Sequence, residues 1–242
     1  MDTASTDVRL SRLAQVASTQ DLVHQLGESG APHGSAIVAA EQVNARGTRG
    51  RAWHAPAGGV WMSVLCRPEV PSAAEVLSLR VGLALAAALE AETRIPPLRL
   101  KWTNDLMLGD RKLGGILCEA RWRGDRLAWV TVGVGINVTN PIPTDLRGTA
   151  ARLADHDGTT SAEALAEPVR RAIAGINGGS AELSLEELRE FEHRDWLRGR
   201  MLAAPAVGIA MGIDPRGALL VRGVDGRVTA VRAGSVVLAP GT

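Results

Sequence analysis

The chain has 242 residues, a formal net charge of +1 and an apolar fraction of 45%. This length fits one large domain, or one domain with a small appendage, and suffices to bury a core without disulfide or metal staples. The balanced charge argues against a protein that binds polyanions over its whole surface. Two cysteines, Cys66 and Cys118, lie in apolar runs, which is typical of buried free thiols in a reducing compartment. No Cys/His spacing suggests a zinc site.

Residues 1–10 are polar and lack the apolar stretch of a secretory signal. The longest apolar stretch, residues 81–89, is too short to span a bilayer. We therefore expect a cytoplasmic protein without a membrane partner. About ten residues precede the first predicted strand, too few for a helix-turn-helix domain, so we also expect no DNA binding.

The first half of the chain mixes strands with two helices. The pattern predicts strands over residues 12–17, 35–42 and 60–67 and helices over residues 18–30 and 73–92. A long loop is predicted over residues 43–59. Ser18 and Asp21 resemble a capping box at the start of the first helix. Four strands follow, separated by tight turns, over residues 98–102, 106–108, 112–122 and 127–138.

Two further helices are predicted before the end of the chain. The first covers residues 161–177, and Pro168 inside it should kink the helix or shift its start. The second covers residues 184–196, where Ser184 and Glu187 form a capping box.

Short strands and turns dominate the last forty residues. Strands are predicted over residues 207–213, 218–221, 228–232 and 236–238. We therefore predict two domains, residues 1–198 and a small β domain of residues 199–242. Because helices and strands mix without strict βαβ alternation, we predict an antiparallel α+β fold.

An arginine- and glycine-rich segment lies in the long predicted loop, Arg46-Gly47-Thr48-Arg49-Gly50-Arg51. Arginine binds phosphate in a fork geometry, and glycine lets the backbone approach a ligand closely. The segment lacks the spacing of a P-loop. On these residues alone, a solvated basic loop or an RNA-contacting segment is an equally open interpretation. Trp53, two residues later, would either stack on a purine ring or pack against the core.

Three later segments carry charged residues, unusual glycines or both. Lys101-Trp102-Thr103-Asn104-Asp105 follows an apolar strand, and Lys112 precedes the pair Gly114-Gly115. Gly133 and Gly135 are one residue apart in an apolar strand, so they point to the same face. Glycine in a strand marks close approach of a ligand or of another backbone. The pattern therefore indicates either a flat surface for a rigid apolar ligand or a tight sheet crossing.

In this order, these segments resemble the signature segments of the biotin protein ligase family. The matching pieces are Ser18-Thr19-Gln20, Gln42 with residues 46–53, residues 101–119, residues 133–137 and residues 212–219. The resemblance implies a central mixed sheet with flanking helices and an SH3-like β-barrel at the C-terminus. It also implies an enzyme that forms biotinyl-5'-AMP from biotin and ATP. The biotin would then pass to a lysine of an acceptor protein, for which a biotin carboxyl carrier is the family expectation.

The resemblance assigns roles residue by residue. Contacts with biotin are implied for Ser18, Thr19, Gln20, Gln42, Arg46, Gly47, Thr48, Lys112, Gly115, Gly133 and Gly135. Contacts with ATP or the adenylate are implied for Arg49, Arg51, Trp53, Asn104 and Asn137. Lys112, Arg46 and Asp105 are the catalytic candidates, with Lys112 bridging the biotin carboxylate and the α-phosphate. Mg²⁺ is expected with ATP, and Asp105 is its one obvious ligand among the motifs and a candidate base for the acceptor lysine.

Four residues depart from the family pattern. Ala45 and Thr48 stand where the loop usually has Gly and a fourth Arg, while Thr103 replaces Pro and Gln20 replaces Asn. One fewer cation should hold an anionic adenylate less firmly. We therefore expect an enzyme that makes biotinyl-adenylate but retains it loosely.

Other interpretations stay open from the sequence. A lipoate or acyl ligase of the same superfamily is one, and a biotin sensor that has lost transfer is another. An RNA-binding module is a third, although the net charge of +1 counts against it. Residues 127–138 could form an edge strand that pairs two subunits, so both a homodimer and a monomer are open.

Overall fold

A seven-stranded sheet organises most of the chain in a computed structural model that describes residues 10–176 and 178–240. Three predictions extend outside the described residues. They are the polar segment before Leu10, the helix end at Asn177 and the last two residues of the small domain, Gly241 and Thr242.

The large sheet is mixed, as the resemblance implies, and not wholly antiparallel, as the order of elements predicts. Its strands are β1 (Leu10–Val16), β2 (Ala36–Gln42), β3 (Val60–Cys66), β4 (Arg99–Lys101), β5 (Asp105–Leu108), β6 (Arg111–Arg123) and β7 (Arg126–Ile136), in the spatial order β1-β2-β3-β7-β6-β5-β4. Strands β1 and β2 are parallel, and the other neighbours are antiparallel.

Strand β7 lies in the middle of this sheet, between β3 and β6. The prediction of an edge strand near residues 127–138 was therefore wrong. Val60 of β3 pairs with Ile136 of β7, and such a distant partner cannot be inferred from local periodicity. Strands β1 and β4 are the edges of the sheet.

Four helices cover the two faces of the sheet. They are α1 (Thr19–Glu28), α2 (Leu77–Glu92), α3 (Ala162–Ala174) and α4 (Leu185–Arg194). Side chains alternate between the faces of a strand. Ile37, Leu65 and Trp129 pack with Val23 of α1 on one face. The residues next to them in the chain point to the other face and pack in the core with α2 and α3. These residues are Ala36, Val64 and Val130.

The helix starts follow the predictions in part. Ser184 and Glu187 form the predicted capping box of α4. Ser161 caps α3, which starts at Ala162 and continues through Pro168, so the proline does not shift the start. Ser18 precedes α1 but makes no capping bond, and this prediction was wrong. The physical reason is that Asp21 pairs with an arginine instead of closing a box.

The last strands form a separate five-stranded antiparallel sheet. They are β8 (Met201–Ala204), β9 (Gly208–Ile213), β10 (Leu219–Arg222), β11 (Val228–Val231) and β12 (Val237–Leu238), in the order β11-β10-β9-β8-β12. Strand β8 was missed because its two alanines have little strand preference. Leu202 and Leu219 share one buried cluster with Trp102, whose indole donates to the Gly217 carbonyl oxygen at 2.8 Å. The division at residues 198 and 199 stays a prediction.

The cysteines are free thiols, as the sequence predicts, and three of the tryptophans named here are buried. Both cysteines are free, and burial raises the pKa of both thiols, that of Cys66 to about 12. Trp61, Trp129 and Trp196 are buried, whereas Trp122 is 49% exposed. Within the described residues, no helix combines the length and apolarity needed to cross a membrane.

Removing the buried Arg80 should destabilise the fold. Its side chain is 7% exposed, pairs with Glu187 at 2.7 Å and donates to two carbonyl oxygens ahead of α4. Arg80→Met removes the cation that pairs with the Glu187 carboxylate and the donors to both carbonyl oxygens, so it should lower the free energy of unfolding by about 3–5 kcal/mol in urea at pH 7. Arg171→Met, which removes a pair 66% exposed on the arginine side, should cost about 0–1 kcal/mol. Equal losses of unfolding free energy in the two variants would contradict the structural role of Arg80.

Candidate active site

A cavity of about 300 Å³ opens over the sheet face that α1 only partly covers. Its floor contains Gly115 of β6, paired directly with Gly135 of β7, and Gly133, which lies on the same face. The prediction that Gly133 and Gly135 share one face is therefore correct. Without side chains at these positions, Gln20 and Trp53 can lie directly against the strands as walls of the cavity.

A polar group closes the end of the cavity beneath α1. The backbone N–H and the hydroxyl of Thr19 both donate to Gln42 Oε1, at 2.7 and 3.1 Å. The hydroxyls of Thr19 and Ser63 are 2.8 Å apart. These bonds fix the amide orientation of Gln42, so its amide nitrogen and the neighbouring Ser18 hydroxyl are the groups left to meet a ligand.

A second polar group lies along the wall next to α1. Gln20 is 4% exposed, and its Nε2 donates to the Leu117 carbonyl oxygen at 3.2 Å and to Glu119 Oε2 at 3.1 Å. Gln20 Oε1 is buried without a hydrogen-bond partner in the described structure. Trp129 Nε1 donates to His24 Nδ1 at 3.1 Å, so the imidazole can present Nε2–H to Glu119, 3.4 Å away.

Arg46 lines the cavity, but its guanidinium faces carboxylates. It donates to Asp21 at 2.7 Å and to both oxygens of Glu119 at 3.1 Å. The hydrogen bonds to Asp21 and Glu119 raise the pKa of Arg46. The resemblance implies a contact of Arg46 with the ligand, whereas in the structure its guanidinium binds carboxylates of the protein itself.

The rest of the Arg/Gly loop, residues 46–51, forms a short hairpin. Arg46 bridges to Ala52, and Gly47 N donates to the Arg51 carbonyl oxygen at 2.7 Å. Arg51 Nη2 donates to Thr48 Oγ1 at 3.2 Å. Arg49 has a positive φ of 62° and reaches the Ser235 hydroxyl beside the small sheet. The loop therefore bridges the two sheets.

Trp53 and Lys112 lie together against the glycine floor. A Cβ on Gly135 would be 2.7 Å from the Trp53 indole, so glycine is required for this packing. Lys112 Nζ is 5.1 Å from the centre of the Trp53 ring and 2.6 Å from Asp105 Oδ1. Trp53 Nε1 is buried without a partner in the described structure.

Two asparagines border the same end of the cavity. Asn104 Nδ2 donates to the Ile116 carbonyl oxygen at 2.9 Å, and Asn137 Oδ1 accepts from Asn140 Nδ2 at 3.1 Å. The loop after β7 fixes the backbone of Lys112, because Lys112 N donates to the Thr149 carbonyl oxygen at 2.7 Å.

A second cavity, of about 330 Å³, lies between the Arg/Gly loop and the small sheet. Four cations line it together with Asp105, and they are Arg49, Arg51, Lys101 and Arg232. Burial lowers the pKa of Lys101, and the nearby cations Lys112 and Arg51 lower it further against the effect of Asp105. Such an excess of positive charge favours an anionic ligand.

All the site residues named from the sequence line the first cavity, except Arg49 and Asp105, which line the second. Glu119, Lys101 and Arg232 were given no role from the sequence. Lys101 lies within a motif and could have been found, whereas Arg232 is too distant along the chain. Among the described residues that line the first cavity there is no carboxylate, and the described chain holds no group of three or more potential metal ligands.

Known proteins resemble the chain over most of its length. The model of the biotin/lipoate A/B protein ligase family matches residues 13–137. The biotin–[acetyl-CoA-carboxylase] ligase of Mycobacterium tuberculosis is 31% identical, with 95% of this chain and 88% of the relative covered. The bifunctional ligase/repressor BirA of Bacillus subtilis is 32% identical, with 87% and 68% covered. A biotin protein ligase from Aquifex aeolicus in complex with biotin and ATP has a TM-score of 0.78 and 28% identity, with 96% and 98% covered.

Gly135→Ala should displace the Trp53 indole, because the added methyl would lie 2.7 Å from that ring. The Trp53 indole N–H signal, assigned by its loss in Trp53→Phe, should then shift in the proton NMR spectrum and exchange faster with solvent. Gly115→Ala is the matched control, since its methyl would lie 3.4 Å from the same ring. The Trp53 signal should stay in place in this control. An unmoved signal in Gly135→Ala would contradict the packing.

Proposed function

The chain belongs to the biotin/lipoate A/B protein ligase family, and we propose that it ligates biotin to a lysine of an acceptor protein through biotinyl-5'-AMP. One observation carries the proposal beyond the family. Lys112 lies at the junction of the two cavities. Gly115, on the floor of the first cavity, is on one side of it, and Asp105, which lines the second, is on the other. A cation at this junction suits a reaction between a carboxylate and a phosphate.

The first cavity suits a rigid, largely apolar acid with a polar ring. The ureido group of biotin would meet Ser18, Thr19 and Gln42, the polar group beneath α1. The fused rings would lie over the glycine-containing strands beside Gln20, which covers Gly133, and Arg46, Gly47 and Thr48 would complete the walls. The carboxylate at the end of the chain of biotin would then approach Lys112. The absence of carboxylates among the described lining residues favours this anion.

The first step joins two anions. A carboxylate oxygen of biotin attacks the α-phosphate of ATP, the bond to the bridging oxygen breaks, and pyrophosphate leaves. Lys112 offsets the repulsion between the two anions and the charge that develops at the α-phosphate. Holding the reactants in line contributes up to ~7–11 kcal/mol. Arg49 and Arg51, with Lys101 and Arg232, would receive the departing phosphates in the second cavity.

The nucleotide would lie beside Trp53, where Asn104 and Asn137 border the cavity. We propose that Mg²⁺ enters bound to the phosphates of ATP. Mg²⁺ often uses one or two carboxylates together with substrate phosphates, and Asp105 at the second cavity fits that donor set. Bound there, the ion would neutralise phosphate charge.

In the second step, the neutral amine of an acceptor lysine attacks the carbonyl carbon of biotinyl-AMP. An amide forms, AMP leaves, and the amine loses a proton. We propose that the lysine enters through the second cavity, which Asp105 lines. Asp105 Oδ1 already accepts from Lys112, so its first role is to orient Lys112. Its second oxygen is the atom available to take the proton.

The acceptor and the compartment are proposed on separate grounds. We propose the biotin carboxyl carrier of acetyl-CoA carboxylase as the acceptor, in line with the Mycobacterium tuberculosis relative. We propose a cytoplasmic location, because both cysteines are free thiols. Residues 1–198 would form the catalytic domain and residues 199–242 the small domain.

Radiolabelled pyrophosphate–ATP exchange tests the proposal. Exchange should require biotin, and lipoate or octanoate should not replace it. Lys112→Met should lower the biotin-dependent rate about 10²–10³-fold, as loss of one stabilising donor does. Arg121→Met, on the same strand but outside both cavities, should leave the rate unchanged. Exchange with lipoate alone would assign the chain to an acyl ligase, and no exchange with any acid would indicate a sensor.

Thr48→Arg should slow release of biotinyl-adenylate about tenfold, because it adds a charge-assisted contact to the loop. The same substitution removes the hydroxyl that accepts from Arg51. Thr48→Val removes that hydroxyl without adding charge and is the matched control. Release of labelled adenylate after dilution gives the rate. An unchanged rate in Thr48→Arg would refute loose retention, and equal slowing in Thr48→Val would assign the effect to Arg51.

A further inference from the structure

Glu119 touches two different walls of the proposed biotin cavity. It follows Gly115 and Leu117 on the same face of β6 and pairs with Thr131 of β7. Its Oε2 accepts from Gln20 and from Arg46, both at 3.1 Å, and its Oε1 accepts from Arg46 at 3.1 Å. One carboxylate thus connects α1 to the Arg/Gly loop.

On the α1 side, Glu119 determines where Gln20 lies. A Cβ on Gly133 would be 2.9 Å from Gln20 Cδ, so Gln20 covers this glycine of the floor. The side chain of Gln20 has two acceptors, Glu119 and the Leu117 carbonyl oxygen. Loss of the carboxylate would leave the amide held by one bond at the floor of the cavity.

On the loop side, Glu119 fixes the base of the hairpin. Arg46 bridges to Ala52, and Trp53 N donates to the Ala45 carbonyl oxygen at 2.9 Å, so these residues form the base. The side-chain bonds of Arg51 stay within the loop, at Thr48. The guanidinium of Arg46 therefore ties the loop to the large sheet, and Asp21 supports it from α1 at 2.7 Å.

We propose that Glu119 is a positioning residue that ties the floor of the biotin cavity to the Arg/Gly loop, so that biotin and its adenylate are held while the loop stays in place. The proposal rests on the proposed function. Glu119 lines neither cavity and acts through Arg46 and Gln20. An ion pair with a purely structural role would affect stability and leave the affinity for biotin unchanged.

Limited trypsin digestion tests the tie without any catalytic readout. Glu119→Gln keeps the side-chain shape but removes the charge that two guanidinium nitrogens share. Cleavage after Arg46, Arg49 and Arg51, normalised to cleavage after Arg227, should become about tenfold faster. Glu28→Gln is the matched control, because Glu28 forms an exposed pair with Arg123 at 2.6 Å. Its loop cleavage should equal that of wild type.

Steady-state kinetics and adenylate release then separate positioning from stability. Glu119→Gln should raise KM for biotin and the rate of adenylate release about tenfold each, with kcat within a factor of about three and an unchanged Tm. The double variant Asp21→Asn/Glu119→Gln should show larger changes. Changes in the double variant alone would assign the tie to Asp21 and overturn the proposal.

The remaining outcomes are also decisive. Wild-type cleavage and KM in both variants would overturn the proposal, as would a loss of kcat with KM unchanged. A wild-type protein without biotin-dependent exchange would refute the proposed function instead. Faster loop cleavage in Glu119→Gln would in that case still support the tie.

Discussion

The site depends on a sheet face that lacks side chains at adjacent positions. Gly115 and Gly135 pair across β6 and β7, and Gly133 continues the same face. Larger residues there would fill the space between α1 and the Arg/Gly loop, as Leu65 and Trp129 do further along the sheet. Because Trp53 lies directly on this floor, a single added methyl would affect both the floor and the wall of the cavity. Rigid neighbouring strands thus provide a flat surface that loops alone could not hold.

The ion-pair partners of each cation, and not its residue type, determine whether it can bind a ligand. The net charge of +1 conceals a strong local contrast. Arg46 is paired with two carboxylates and serves the architecture of the loop. Lys112 is shared between Asp105 and the Trp53 ring. The cations of the second cavity outnumber its one carboxylate and remain available for an anion. Arginines of one motif therefore differ in what they can bind.

The sequence predicted features that depend on local pattern and failed where distant segments meet. The paired glycines and the capping box at Ser184 follow from spacing and residue type, whereas the mixed sheet follows from the family resemblance. The central place of β7 depends on its pairing with β3, and the use of Asp21 against Arg46 depends on how α1 approaches the loop. Arg232 enters the second cavity only because the small sheet packs against the large one. None of these contacts leaves a periodic signal along the chain.

The chain has two lysines, Lys101 and Lys112, and both line a cavity. With histidine taken as neutral, all the other cationic side chains are arginines. An acyl adenylate reacts with neutral amines, and a guanidinium stays protonated and does not take part. An activated acid that escapes the site therefore meets an enzyme surface without side-chain amines to acylate. The same scarcity means that an amine-directed chemical probe would modify lysine side chains only within the site, where bound ligand would protect them.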